Sequence, residues 1–265
     1  MAEQAKMHDG PWRPSEGVPE VRKAEWGDLR AALALGLADF RRAPGIGIVT
    51  GLLYALGGIV IVWITDMREW RGLTFPIIAG FALIGPFVAT ILYEISRRME
   101  RGESFGWGEI PAMIAATARK QILYHGFVLM FWLAVWSRVG LVIYYVHFGL
   151  TPTPFMEVLP TLFTTSTGWS FLLIGHGFGA MFAFVAFAIS VIAFPFLLDR
   201  DADFITAMVT SFKTVLASPV VMLGWGVFVG AALALASLPA FLGLAVALPV
   251  LGHASWHLYR RLVSE

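Results

Sequence analysis

The chain contains no cysteine, and only 14% of its 265 residues are charged. The first absence excludes disulfides, thiolate metal sites and thiol nucleophiles. The second is more restrictive, because an ordinary globular domain carries about 25% charged residues to cover its surface. A chain this poor in charge is not a soluble enzyme, a disordered protein or a nucleic-acid-binding module. Catalytic and cofactor motifs are missing as well. There is no glycine loop ending in Lys-Ser/Thr, no His-Glu-x-x-His helix and no Gly-x-Ser-x-Gly elbow. No paired histidines or Cys-x-x-Cys-His segment point to copper or haem. Neither enzymatic activity, a resident metal nor another cofactor is therefore expected. What the chain has in abundance is apolar residues, 58% of the total, with a mean hydropathy of +0.73. That composition belongs to an integral membrane protein, whose first partner is the lipid bilayer.

A hydrocarbon core about 30 Å thick takes about 20 apolar residues per crossing helix. Six stretches meet this need: Gly45–Ile64, Phe75–Tyr93, Ile122–Tyr145, Trp169–Leu197, Val220–Leu235 and Pro239–Leu258. The fourth is long enough to require a bend, with Pro195 at the kink. Residues 1–25 are polar and rich in proline, glycine and charge, which suits a disordered cytoplasmic tail ahead of a membrane domain spanning 26–265. Arg41, Arg42, Arg97, Arg98, Arg101, Arg119, Lys120, Arg200, Lys213, Arg260 and Arg261 all fall outside the crossings, on one side. The 148–168 loop on the other side has no basic residue. By the positive-inside rule both termini are cytoplasmic, in a bacterial inner membrane.

The spacing contains a repeat. Trp26-Gly27-Asp28-Leu29 recurs as Trp107-Gly108-Glu109-Ile110, and a looser copy starts at Asp203. Leu29, Leu33, Leu37 and Phe40 then map onto Phe204, Met208, Phe212 and Val215, each set on one helix face. Pro44 matches Pro219, and Pro86 leads to Arg97-Arg98 as Pro249 leads to Arg260-Arg261. The expected fold is an all-α integral membrane protein of six transmembrane helices. They form three parallel repeats, about 26–101, 107–200 and 201–262, each an amphipathic interfacial helix plus a helical hairpin.

Ionisable residues inside apolar helices mark places where chemistry or packing compensates the cost of burial. Glu94, His125, His253 and His257 lie near the cytoplasmic ends of their helices and are expected to converge there as a polar cluster. Such a cluster would relay protons, hold a metal, or simply hydrogen-bond lipid phosphates and helix ends. Arg138 lies within the third stretch, placed to bind an anion, pair with Glu157 or snorkel outward. His176 in the fourth reads as a buried hydrogen-bonding residue. Glycine pairs at Gly47/Gly51, Gly175/Gly179 and Gly226/Gly230 have the spacing that lets helices pack closely, within the bundle or in a dimer.

Several segments resemble an uncharacterised family of bacterial integral membrane proteins, a domain of unknown function. They are Pro76–Phe81, Gly85–Phe87, Tyr93–Arg98, Phe194–Arg200 and Leu248–Arg260. Members of that family are sometimes labelled as similar to cytochrome c oxidase subunit I. The resemblance brings no catalytic residue, and this chain lacks the paired histidines of such a subunit. It implies an accessory role beside a respiratory complex. Two classes of function follow. One is a non-catalytic accessory, assembly or scaffold partner in a larger membrane complex, or a homo-oligomer. The other is a small-solute or proton transporter using Glu94, His253 and His257. A metal or haem binder is a third reading.

Overall fold

Long apolar runs without competing polar side chains satisfy their backbone groups only by forming helices, and the computed structural model is predominantly helical over the residues it describes. It describes residues 19–67, 74–117, 119–150 and 155–264. The helices in chain order are α1 (Trp26–Arg42), α2 (Pro44–Met67), α3 (Thr74–Arg101), α4 (Ile110–Thr117), α5 (Lys120–Phe148) and α6 (Phe155–Thr164). They continue with α7 (Ser166–Ser190), α8 (Ala193–Asp199), α9 (Phe204–Ala217), α10 (Pro219–Ser237) and α11 (Leu244–Leu262). Among the described residues four segments are long and apolar enough to cross a membrane: Pro44–Ile64, Lys120–Phe148, Ser166–Asp199 and Pro219–Ser237. The second and sixth expected crossings fall on α3 and α11, which form helices but are not in that set. Both end in polar runs, Glu94 to Arg101 and His253 to Arg261.

Two boundaries differ from expectation. The sixth stretch was expected from Pro239, but α11 starts at Leu244. The residues between form a tight turn in which Ala240 and Phe241 take positive φ, at 49° and 64°. Gly243 closes it, and a Cβ there would lie 2.6 Å from the Ala236 carbonyl oxygen. The fourth stretch does bend, but before Pro195, at Val191 and Ile192. A proline ring clashes with the carbonyl four residues back, which is that of Val191. The Ser211 hydroxyl of α9 then enters the gap, donating to Ala188 O at 2.7 Å and accepting from Ile192 N–H at 3.1 Å. It bridges the two groups that an unbroken helix would have bonded directly.

Helix α11 is the hub. Its buried residues include Leu248, Pro249, Gly252, His253, Ala254, Trp256, His257 and Tyr259, and α1, α2, α3, α8 and α10 all pack against it. The amphipathic α1 docks through Asp28, Leu29, Ala32, Gly36 and Asp39. At Gly36 the approach is so close that a Cβ would sit 2.5 Å from Ala254 N. Helix α9 docks on α7 and α8 through Ala207, Thr210, Ser211, Thr214 and Val215. The short α4 docks on α3, with Met113 buried beside Ile95, Ala43 and Ile46.

Of the two expected apolar lines only Leu29 and Val215 fall on the docking stripes, and the rest lie beside them. Leu33, Leu37, Phe40, Phe204 and Met208 are half-buried and Phe212 is exposed. Small and hydroxyl-bearing side chains make the contact because they let helix axes approach. The chain ends meet. Val21 and Val263 form an antiparallel bridge, and Ala24 N–H donates to Ser218 Oγ at 2.8 Å. Residues 19–25, expected in the polar tail, are held by these bonds; residues 1–18 lie outside the described residues.

Candidate functional site

The polar residues of α1, α3 and α11 meet at the end of the bundle that carries the Val21–Val263 bridge. Asp39 sits on the docking face of α1, eleven residues after Asp28, so its carboxylate is carried into the interface rather than toward solvent. Its Oδ2 accepts from Ser96 Oγ at 2.8 Å and pairs with His257 Nε2 at 2.7 Å. Ser96 Oγ also lies 2.8 Å from His253 Nδ1. With Asp39 ionised, Ser96 donates its single proton to the carboxylate and accepts from His253 Nδ1–H. The outward nitrogen of His257, Nδ1, lies 3.5 Å from Glu100 Oε1, and Glu100 Oε2 is 3.3 Å from Arg260. Glu100, Asp39, Ser96 and the two histidines thus form one continuous polar chain. It runs from a partly exposed carboxylate to a fully buried imidazole whose Nε2 has no hydrogen-bond partner among the described residues.

Charge in this region is settled by pairing. Burial alone would raise the Asp39 carboxyl, but hydrogen bonds from His257 and Ser96, with the charges of both histidines, hold it below the ordinary Asp value. Glu100 is likewise pushed up by burial but held below its usual value by His257, Trp256 and Arg260. At the start of α1, burial raises Asp28 while Arg22, the Glu25 N–H and Arg261 together lower it. Arg22 reaches Asp28 Oδ1 at 2.6 Å and Arg261 reaches it at 3.4 Å.

The four residues expected to converge separate into three environments. His253 and His257 come together. Glu94 is fully buried but belongs to a different set: Arg97 binds it with two hydrogen bonds, at 2.7 and 2.9 Å, and Arg98 adds a third at 2.8 Å. His125 is buried on α5 edge-on to Phe194, with ring centroids 4.8 Å apart, and among the described residues neither ring nitrogen has a hydrogen-bond partner. Sequence spacing placed these residues at a common height but not on a common face.

The other expected sites also shift. His176 is exposed rather than buried, and its Nδ1 bonds back to Leu172 O at 2.7 Å. It stands on an outward face of α7. Arg138 is exposed on α5, and the side chain of Glu157 lies outside the described residues. Gly47 packs on Phe40 and Pro249, and a Cβ at Gly51 would lie 2.5 Å from Leu244 O. Gly179 and Gly226 touch only the rings of Trp136 and Phe187. Gly175 and Gly230, expected to pack, have open space where a Cβ would stand. Their helix faces turn away from the bundle.

Asp39, Ser96 and Glu100 escaped the sequence reading, which looked for ionisable residues only within the crossing stretches. One signal was available: Asp28, Leu29, Ala32, Gly36 and Asp39 share a helical stripe, which places a carboxylate in line with small packing residues. Among the described residues, no three His, Asp or Glu side chains are grouped to hold a metal ion.

No match is found among curated proteins or among solved structures. Residues 74–199, a little under half of the chain, match a family model described as a predicted integral membrane protein (DUF2189). The matched region runs from α3 through α8 and takes in the Pro76–Phe81, Gly85–Phe87 and Tyr93–Arg98 segments, but not the closing Leu248–Arg260 segment. Over that region the match agrees with the resemblance to an uncharacterised membrane-protein family and supports an integral membrane protein.

Proposed function

We propose that the chain is a non-catalytic accessory, assembly or scaffold partner of a larger complex in a bacterial inner membrane. The observation that carries this reading is how its polar residues are used. Asp39, Ser96 and His257 tie α1, α3 and α11 together, Asp28 pairs with Arg261 of α11, and Glu94 is satisfied by the arginines of its own helix. The outward faces of α5 and α10 are apolar, with Phe127, Val146, Val220 and Val227 more than two-thirds exposed. Such faces suit lipid and helical partners.

The architecture we infer is six crossings in three parallel units. Three hairpins pack, α2 with α3, α5 with α7 and α10 with α11. Each interfacial helix docks on the second helix of another unit: α1 on α11, α4 on α3 and α9 on α7 and α8. That cyclic order is what a pseudo-threefold axis along the membrane normal would produce. Helices α3 and α11 can cross despite their polar ends because they pack mainly against protein, where buried polar groups find partners. Paired chain ends require an even number of crossings. The arginines around them make that side cytoplasmic under the positive-inside rule.

Purification from native membranes in mild detergent tests the partner reading. A stoichiometric membrane-protein companion is expected, and a protein that always runs alone refutes it. The chain from Glu100 to His253 favours proton movement as a second reading, and this now rests on Asp39 and the histidines rather than on Glu94. Proton flux in proteoliposomes, abolished by His257→Ala and kept by Glu94→Gln, would support it.

A further inference from the structure

We propose that the cleft between the start of α5 and the end of α8 binds the phosphate of an anionic phospholipid, whose acyl chain lies along α5. The cleft measures about 430 Å³ and is lined by Arg119, Lys120, Gln121, Leu197, Arg200 and Asp201. Its three cations differ from six of the arginines elsewhere at this end of the bundle. Arg22, Arg97, Arg98, Arg101, Arg260 and Arg261 all pair with carboxylates. Among the described residues, Arg119, Lys120 and Arg200 make no such pair.

Arg119 instead donates to the carbonyls of Leu197 and Arg200 at 3.2 and 3.3 Å. Those bonds cap the end of α8 and offset the partial negative charge of its C-terminus. Arg200 lies over the Phe196 ring, 5.4 Å from its centroid, donates to Tyr259 Oη at 3.3 Å, and bonds the Ser264 carbonyl. Both guanidinium groups are thus positioned by neutral partners, and their charge is left for an anion. Asp201 is the one acid in the lining, against three cations.

The surface below the cleft selects a lipid over a soluble phosphate ester. Lys120 tops a face of α5 on which Leu123, Tyr124, Phe127 and Phe131 are 60%, 51%, 71% and 62% exposed. Steps of three and four residues align them down one side of the helix. Helix α5 is long and apolar enough to cross a membrane, so this stripe faces hydrocarbon and the cations stand at headgroup height. Basic pockets between crossing helices are a recurrent way of holding anionic headgroups. The site rests on α5 crossing the membrane and is independent of any protein partner.

The test uses the full chain in mild detergent, with bound lipid counted by native mass spectrometry after incubation with phosphatidylglycerol or phosphatidylcholine. Retention of phosphatidylglycerol over phosphatidylcholine is expected. Lys120→Gln leaves the bonds of Arg119 and Arg200 intact and is expected to weaken phosphatidylglycerol retention about fivefold, the effect of one near-surface cation. Arg30→Gln, an exposed change on α1, is expected to leave it unaltered. Equal retention of the two lipids, or an unchanged Lys120→Gln variant, overturns the proposal. So does displacement of phosphatidylglycerol by an equal concentration of inorganic phosphate, since the cations alone would then be the site.

Discussion

His257 Nε2 on α11 lies 2.7 Å from Asp39 Oδ2 on α1, joining two helices 218 residues apart in sequence. The pair is buried at the seam by which the amphipathic helix is fastened to the hub. Asp39→Asn keeps the volume but removes the charge, leaving a neutral amide oxygen as a weaker acceptor for Ser96 and His257. Breaking a buried pair of this kind costs about 3 kcal/mol. Thermal unfolding of the purified protein in detergent is expected to show that loss. Asp39→Asn combined with His257→Gln should lose less than the sum of the two single changes, since each removes the same interaction. Full additivity would mean the contact contributes nothing.

Acid should loosen the same seam. Asp39, Asp28 and Glu100 all have folded-state values below their ordinary ones, 3.8 for Asp and 4.5 for Glu. A carboxyl depressed by folding contributes stability that is fully present above its unfolded value and is lost as pH falls through the folded one. The share of stability that these carboxylates contribute should therefore be retained as pH drops from 7 to about 5 and decline below about pH 4. Asp28→Asn and Asp39→Asn should each be less stable at pH 7 and show a shallower decline. Denaturation midpoints across pH would check this, and identical slopes in variants and wild type would count against it.

The glycines give a contrast that composition alone does not. At Gly36 a Cβ would fall within 2.8 Å of three atoms of Ala254, two of them backbone, so the helices must separate to admit it. At Gly175 and Gly230 nothing stands within 4 Å. Gly36→Ala is expected to lower stability by about 1–3 kcal/mol through overpacking. Gly175→Ala and Gly230→Ala should be neutral, or stabilising by up to about 1 kcal/mol from helix propensity. Unfolding of the three variants under one condition decides between these outcomes.

The helices were legible wherever the signal was local. Apolar runs located the helices, and Pro44, Pro195 and Pro219 marked breaks to within a few residues. In the repeat we propose, Ala32, Gly36 and Asp39 of the first unit align with Ala207, Ser211 and Thr214 of the third, and both stripes are buried. The site was far less legible. Whether a carboxylate meets a histidine depends on the rotation of two helices about their axes, which small contacts such as Gly36 on Ala254 determine. Glu94 and His257 occupy matching places in their units, yet Glu94 is enclosed by its own helix's arginines and His257 by another helix's aspartate. Ser211 bridging the α7–α8 break is equally nonlocal, because nothing near Ser211 in sequence announces a gap in another helix.

The absence of cysteine makes the crossing number directly measurable. Glu103 follows α3, Thr164 lies at the end of α6, and Leu238 lies in the turn before α11; all three are exposed. If α3 and α11 cross along with the four apolar segments, Glu103 shares a side with both chain ends, and Thr164 and Leu238 lie on the other. If only the four apolar segments cross, each of these three positions changes sides while the ends stay together. With single substitutions Glu103→Cys, Thr164→Cys and Leu238→Cys, a membrane-impermeant thiol reagent applied to intact cells should label the second and third variants. Glu103→Cys should react only after the membrane is opened. Labelling of Glu103→Cys alone in intact cells would leave α3 and α11 as internal helices and remove the three-unit architecture.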